Sequence, residues 1–401
     1  MQYPKCVSLG LGLWLGCLCT AQTPAPAAAD KPAAAADKPA DAPAPAPPTP
    51  VWSVGPIDFS GLVDGYYSLN FNHPASKINN GRNFDAKANQ FSLNMAKLTM
   101  EHTADPVGFK LELGFGRAFE IFNATEPGGL GIFRNILQGY LSLKPSKTSG
   151  LLVDFGKFNT SAGAEVTETH LNWNYSRSLL FANGPYYHFG VRTTMPVGKH
   201  FTGGVQVVNG WNNVEDNNSA KTIGLTAAIT TSKLNWFNNY YVGNEKTDTA
   251  DGIKIKAPGV RNFWDTVVNF NPNSKFSALF NFDYGQENQA IFTAPGKAAA
   301  AKFYGYSVAA RFMPKGNDTF CISPRFDWYK DRDGFITTQA QTLKEFTLTG
   351  DWKMAEGLLA RFEYRRDSSN QPFFDRGNGT LNSKNMNTVL VGVVAYFGPK
   401  R

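Results

Sequence analysis

Residues 275–284 read KFSALFNFDY, with apolar side chains at every second position from Phe276 to Tyr284. The same period of two recurs in residues 320–328, 345–352 and 358–365, where most of the intervening residues are polar or charged. Successive side chains of a β-strand point to opposite faces of the sheet, so each stretch has one apolar and one polar face. Extended along residues 57–397, the pattern predicts about sixteen strands.

The composition narrows the class of protein further. The chain has 401 residues, including 31 Phe, 15 Tyr and 8 Trp, and only 18% of its residues are charged. No apolar run of about 18 residues follows the N-terminal segment, which excludes a bundle of membrane-spanning helices. Strands that alternate apolar and polar residues can still cross a membrane as a closed barrel.

The first fifty residues differ in composition from the rest. Residues 1–21 carry Lys5, a short apolar stretch and the small-x-small site Cys19-Thr20-Ala21, which predicts a secretory signal peptide cleaved after Ala21. An alternative is acylation at Cys17. Residues 22–50 are almost entirely Ala, Pro, Asp and Lys, which predicts a disordered periplasmic linker able to reach the cell wall. Residues 51–401 form the predicted barrel domain.

The predicted connections alternate between short and long. Residues 105–108 and 271–273 are examples of the short ones and contain Pro, Gly, Asn or Asp, which favour tight turns. The long connections are approximately 73–88, 121–132, 160–184, 212–218, 244–259, 287–300, 331–341 and 367–384. Long extracellular loops on one rim and short periplasmic turns on the other are typical of outer-membrane barrels.

A soluble sandwich of two sheets is the alternative to a membrane barrel. The apolar faces end in aromatic residues, as membrane-interface girdles do; these are Trp211, Tyr284, Trp328, Trp352, Tyr364 and Phe397. The polar faces carry many charges, which suit a wet interior. The last strand, 388–397, is apolar and ends in Tyr396-Phe397. We therefore predict an all-β, transmembrane, antiparallel up-and-down β-barrel of about sixteen strands in the cell outer membrane.

Several short motifs carry a resemblance to a known family. They are Gly156-Lys157-Phe158, Ala162-Gly163-Ala164-Glu165, the segment from Asn172 to Ser178, Pro185-Tyr186 and Gly190-Val191-Arg192. With them, residues 57–397 resemble the OmpL-like β-barrel porins of Gram-negative bacteria. The resemblance implies a pore-forming outer-membrane protein, without indicating a solute. The chain departs from the usual pattern by four residues after Phe397.

The third long connection, residues 160–184, is the candidate pore constriction. By analogy with general porins, we expect it to fold inward and place Glu165 and Glu168 at the neck of the channel. Lumen arginines of the wall would face these carboxylates across a transverse field; they are Arg192, Arg325, Arg361 and Arg365. Arg177 of the same connection is a further candidate constriction residue. The alternatives are an exposed loop with solvated charges and, for the wall arginines, ion pairs that only stabilise the barrel.

These observations predict passive diffusion of small hydrophilic solutes or ions rather than an enzyme. The alternatives are a closed structural or adhesive barrel and a barrel-embedded hydrolase. The expected partners are outer-membrane lipid, lipopolysaccharide and the solutes, with a homo-oligomer also compatible with the sequence. The net charge of +7 is scattered along the strands without a basic cluster, which argues against nucleic acid. We expect no cofactor and no metal.

Overall fold

The computed structural model describes residues 52–126, 132–148, 150–247, 259–294 and 297–399, together with the short strands Thr249–Ala250 and Ile253–Lys254. The predicted signal peptide and linker lie outside the described residues. The described part of the chain contains sixteen long strands: β1 Ile57–Asn70, β2 Gln90–His102, β3 Val107–Phe115, β4 Ile136–Leu143, β5 Leu152–Asn159, β6 Tyr187–Val197, β7 Phe201–Val208, β8 Thr222–Thr230, β9 Leu234–Gly243, β10 Arg261–Asn273, β11 Phe276–Ala294, β12 Lys297–Phe312, β13 Phe320–Asp331, β14 Gln341–Ala355, β15 Leu358–Ser369 and β16 Asn385–Phe397.

Each strand pairs antiparallel with its neighbours in the chain, and the last strand closes the barrel on the first. Strand β16 pairs with β1 from Gly61 opposite Phe397 to Asn70 opposite Thr388. Strand β1 also pairs with β2, so its backbone is bonded on both sides. Closure pairs the backbone N–H and C=O groups that an open sheet edge would leave without hydrogen-bond partners in lipid. The predicted antiparallel barrel of about sixteen strands is therefore confirmed.

The alternation read from the sequence separates the two faces of the wall. On β15, the outward Phe362 is 53% exposed, whereas the neighbouring inward Arg361 is fully buried. On β13, the outward Phe326 and inward Arg325 differ in the same way, at 39% and 3% exposed. The apolar face thus points outward, towards the surrounding lipid, and the charged face points into the barrel.

A β-bulge interrupts the pairing of β1 with β2. Asp64 lies opposite Met95 and Gly65 lies opposite Leu93, so Asn94 is the extra residue. The bulge turns the Asn94 amide inward, where its Nδ2 donates to Asp64 Oδ2 over 2.7 Å. One additional residue shifts the side-chain period by one position. This explains why the alternation in the sequence slips next to Met95.

The connections alternate in length around the barrel. The long ones hold the helices α1, Arg117–Phe122, and α2, Leu179–Asn183, the 3-10 turns Ile132–Asn135 and Thr169–Leu171, and the two-strand ribbon Phe374–Asp375 with Leu381–Ser383. A two-residue strand, Ser53–Val54, pairs with the start of β1. No helix among the described residues is long and apolar enough to cross a membrane.

Two details of the sequence prediction were wrong. Residues 287–300 are not a long loop, because β11 continues to Ala294 and β12 begins at Lys297, with Ile291 opposite Ala299. Trp211 does not belong to an aromatic girdle. It lies beyond the end of β7, is 6% exposed and packs edge-on against the inward Phe263 at 5.0 Å.

Candidate pore constriction

The third loop, residues 160–186 between β5 and β6, lies inside the barrel. Its two ends are joined by a hydrogen bond from the Thr160 amide to the Tyr186 carbonyl, 2.9 Å long. The loop then reaches distant parts of the wall. Ser161 Oγ lies 2.7 Å from Tyr241 Oη on β9, and Asn174 Nδ2 donates to Thr349 Oγ1 on β14 over 2.7 Å.

Arg361 of β15 binds the backbone of the third loop. Its Nε donates to Asp351 Oδ1 on β14 over 2.7 Å. Its Nη1 donates to the carbonyls of Thr169 and Asn174, and its Nη2 donates to that of Asn172. A guanidinium has five donors in a fixed plane, so one buried side chain can satisfy a carboxylate and several loop carbonyls at once.

Two further arginines of the wall bind the loop in the same manner. Arg325 on β13 pairs with Glu165 of the loop at 2.9 Å and donates to the Ser176 carbonyl over 2.7 Å. Arg365 on β15 donates to the Arg177 carbonyl over 2.5 Å. Carboxylates of the wall neutralise both arginines. Glu345 on β14 pairs with both, Asp327 pairs with Arg325 on β13, and Asp367 pairs with Arg365 on β15.

Acidic side chains of the wall accept hydrogen bonds from backbone amides and hydroxyl groups of the loop. Glu363 on β15 accepts from the backbone amides of Tyr175 and Ser176, at 2.7 and 3.0 Å. Asp64 on β1 accepts from Tyr175 Oη over 2.7 Å and also from Thr169 Oγ1. Sequence reasoning did not select Asp64 or Tyr175 as site residues. The signal that could have found Asp64 is its place as an acid on the inward face of the first strand.

Two titratable groups of the loop lie close to the β1–β2 side. Glu168 pairs with Lys97 of β2. Burial alone would raise the pKa of Glu168, but the Lys97 ammonium and hydrogen bonds from Lys97 and Thr167 lower it to about 2. His170 stacks on Tyr396 with ring centroids 4.3 Å apart, and burial lowers the pKa of His170 to about 4. At neutral pH, the docked loop thus holds an ionised Glu168 and a neutral His170.

Arg177 braces the third loop from within. Its Nε donates to the Val166 carbonyl over 3.0 Å and its Nη2 to the Thr167 carbonyl over 2.9 Å. Its guanidinium also lies 4.8 Å from the ring centroid of Phe84, in the connection after β1. A planar cation over an aromatic face is a favourable contact. Arg177 therefore shapes the loop through contacts with the loop's own backbone.

Arg192 on β6 lies apart from the loop carboxylates that it was expected to face. Its Nε donates to Asp154 Oδ2 on β5 over 2.7 Å, and its guanidinium lies 4.5 Å from the centroid of Phe158. It borders an open pocket against the inner face of β6–β9, lined also by Thr194, Thr202, Gln206 and Thr226. The structure thus brings Arg325, Arg361 and Arg365 into contact with the third loop and leaves Arg192 outside this group.

The interior of the barrel is consequently asymmetric. On β13–β15, the inward residues that the loop covers are almost fully buried, including Ser323, Thr349, Arg361 and Glu363. On β6–β8, the inward Thr194, Thr202 and Thr226 stay half-exposed. Space for water therefore remains next to these three threonines, whereas other inward side chains of the same strands, such as His188 and Gln206, are buried. Within the described residues, no group of His, Cys, Asp and Glu side chains could hold a metal ion.

A closed antiparallel barrel with an apolar outer face, a charged interior and an inward loop defines an outer-membrane barrel of the porin type. Residues 56–397 match the model of the family described as "Putative beta-barrel porin-2, OmpL-like". The chain therefore belongs to this family of outer-membrane β-barrel porins. No curated relative matches the chain in sequence.

Solved structures share the fold at low sequence identity. OmpT of Vibrio cholerae superposes with a TM-score of 0.53 at 14% identity, covering 85% of this chain and 97% of that one. The outer membrane channel DcaP of Acinetobacter baumannii gives 0.54 at 11% identity, with 85% and 97% covered. OprB of Pseudomonas putida gives 0.51 at 13% identity, with 85% and 93% covered. These likenesses establish the fold.

Proposed function

We propose that the protein is a porin that lets small hydrophilic solutes or ions diffuse passively across the outer membrane through a channel narrowed by its third loop. The observation that carries this proposal is the asymmetric interior. The loop backbone is bound to β13–β15 by Arg325, Arg361 and Glu363, while the inward threonines of β6–β8 keep contact with open space. A sixteen-stranded barrel is wide enough for a water-filled channel beside such a loop.

The binding of the loop supports a fixed constriction rather than a solvated cap. Charge-assisted hydrogen bonds from buried guanidinium groups to carbonyl oxygens are stronger than bonds between neutral groups. Leaving one of these buried charges without its partners costs several kcal/mol, on the order of 3–5. The third loop therefore stays in the barrel at neutral pH, and its position sets the width of the passage.

A closed structural barrel is the second candidate, because it is favoured by the near-complete burial of the inward β13–β15 residues. The two candidates differ in one property, since a closed barrel conducts no steady ionic current. Catalysis is not part of the proposal: the family is one of porins, and DcaP is described as a channel.

Two further expectations remain proposals. One solved neighbour, the in-vitro folded OmpT of Vibrio cholerae, is described in a trimer form, which supports a homo-oligomer for this chain. Cleavage after Ala21 would leave residues 22–50 as a periplasmic linker preceding the barrel. N-terminal sequencing of the protein purified from outer membranes tests this cleavage site.

The test of the proposed function is single-channel recording in a planar lipid bilayer. The full chain is expected to give steady open-channel current, and deletion of residues 163–178 is expected to raise the conductance severalfold, because the wall-bound part of the loop is removed. Deletion of residues 377–380, at the tip of the last long connection, is the matched control and should leave the conductance unchanged. Current absent from both the full chain and the loop deletion would support the closed barrel instead.

A further inference from the structure

Four cations form a row on the lipid-facing side of the barrel, near the long-loop rim. Lys302 on β12, Lys330 on β13, Lys344 on β14 and Arg366 on β15 all occupy outward positions, because their neighbours in the chain point inward and are buried. We call these four residues the cationic row. Lys344 and Arg366 are exposed, and Lys302 and Lys330 are half-exposed.

Each member of the cationic row lies two residues beyond an aromatic residue on the same outward face. The pairs are Tyr304 with Lys302, Trp328 with Lys330, Phe346 with Lys344 and Tyr364 with Arg366. Two residues of a strand span about 6.6 Å, so the cations lie just beyond the aromatic girdle, towards the long loops. The register interlocks the row with the girdle, because Tyr304 lies opposite Lys330, Trp328 opposite Lys344 and Phe346 opposite Arg366.

The neighbouring strands show that the row is a local feature of β12–β15. Strands β9, β10 and β11 carry the same kind of girdle aromatic in Tyr240, Trp264 and Tyr284. The outward residues two positions beyond these are uncharged: Val242, Asn262 and Gln286. The girdle as such therefore does not require a cation above it, and the four adjacent positive charges need a separate explanation.

Acidic side chains of the protein do not neutralise the row. None of its four members takes part in an ion pair among the described residues, and Arg366 contacts only the amide oxygens of Asn385 and Asn387, at 3.3 and 3.4 Å. Asp333 is near the row, but its carboxylate accepts the backbone amide of Lys302 and lies 3.9 Å from Arg332. The row therefore keeps a net positive charge directed towards the surrounding membrane.

We propose that the cationic row binds the phosphate groups of the outer-leaflet glycolipid, the lipid A part of lipopolysaccharide. Long loops mark the extracellular side of outer-membrane barrels, so the row lies at the headgroup level of that leaflet. Neighbouring strands are about 4.8 Å apart, so the four cations spread over roughly 14 Å. This spread fits a headgroup with more than one phosphate, and the aromatic residues beneath it fit the acyl chains. The site faces lipid, so it does not depend on whether the channel conducts.

The test is native mass spectrometry of the full-length protein folded in a nonionic detergent, with diphosphoryl lipid A added. The variant K302Q/K330Q/K344Q/R366Q is expected to bind it about tenfold or more weakly, since each cation near an anionic surface adds to the attraction. The matched control K199Q/K233Q/K275Q/K315Q removes four exposed lysines from the short turns of the opposite rim and should bind as the unmodified protein does.

A second probe separates phosphate recognition from contact with acyl chains. Dephosphorylated lipid A should bind the unmodified protein as weakly as diphosphoryl lipid A binds the row variant. Equal binding of the row variant and its control, or of the two lipids, overturns the proposal. A changed oligomer mass with lipid binding intact also overturns it and assigns the row to a contact between subunits. If the quadruple variant fails to fold, the double variants K302Q/R366Q and K330Q/K344Q should each lose part of the binding.

Discussion

Strands β13–β15 and strands β6–β8 line the same barrel interior with very different surfaces. On β13–β15, the inward arginines and acids are buried and bonded to the third loop, with Arg361 fully buried and Glu363 3% exposed. On β6–β8, the inward threonines at positions 194, 202 and 226 are half-exposed and face an open pocket. The charges of the first wall thus hold a loop, and the small polar residues of the second leave space.

The charges inside this barrel have other partners than their place on the inner face suggests. Arginine and glutamate facing the interior suggest a field that acts on the solute. Here, the guanidinium groups of Arg325 and Arg365 donate to loop carbonyls and pair with wall carboxylates, so these arginines hold the third loop against the wall. The inward side chains that keep exposed surface lie on the opposite wall, at Thr194, Thr202 and Thr226, whereas Arg192 and its partner Asp154 are buried there.

The largest expected effect comes from removing the central anchor of the loop. Arg361→Ala leaves three loop carbonyls without their donor, while Asp351 keeps its ion pair with Arg311 at 3.2 Å; we expect a cost of roughly 3 kcal/mol. We expect the third loop of this variant to become sensitive to protease in intact, detergent-folded barrels, and the single-channel current to fluctuate.

Arg366→Ala is the matched control for this experiment. Arg366 lies on the same strand but points outward, so its loss should change neither protease sensitivity nor current. Arg361→Lys should fall between the two, because lysine keeps the charge near Asp351 but lacks the planar set of donors. A loop that stays protected in Arg361→Ala would mean that Arg361 does not anchor it.

A smaller effect is expected from acid. The docked loop holds the pKa of His170 at about 4, below its ordinary value of 6.5, so acidification from pH 6.5 to 4 favours the undocked, protonated state. The pKa of Glu168, lowered to about 2 from its ordinary 4.5, moves the balance in the same direction between pH 4.5 and 2. Conductance and protease sensitivity should therefore rise as the pH falls.

The variant His170→Phe separates these two contributions. Phenylalanine keeps an aromatic ring against Tyr396 without titrating, so the change between pH 6.5 and 4 should disappear while the change below pH 4.5 remains. Measurement of conductance from pH 7 to 3 distinguishes the two windows. An unaltered profile in this variant would exclude His170 as the group responsible.

The sequence was sufficient to predict the barrel wall because alternation is a property of the side chains themselves. Stretches such as 275–284 and 358–365 have the faces that the structure gives them. The sequence did not reveal the extension of β11 and β12. Beyond the girdle both faces of a strand meet water, so apolar and polar side chains need not alternate there. Trp211 was misplaced because the sequence around an aromatic residue near a strand end does not show whether its side chain faces lipid or the barrel interior.

The candidate site was only partly accessible to sequence reasoning. The alternation put Arg325, Arg361 and Arg365 on the inner face, whereas the inward third loop was expected only by analogy with general porins. It could not indicate that Arg361 binds the carbonyls of Thr169, Asn172 and Asn174, because backbone carbonyls are the same for every residue type. The pairing of Arg192 with Asp154 rather than with the loop depends on the register of β5 and β6, which places the two residues opposite each other. The alternation of side chains in the sequence does not specify that register.

The most direct test of the account is thiol labelling of the two walls during single-channel recording. Cys321 is the free cysteine of the described residues and is buried on the inner face of β13, so the background carries Cys321→Ala. In that background, a cationic methanethiosulfonate reagent should modify Thr226→Cys on β8 and lower the conductance. Ser323→Cys on β13 should remain unmodified because the third loop covers it. Rapid modification of Ser323→Cys, or no modification of Thr226→Cys, would contradict the account.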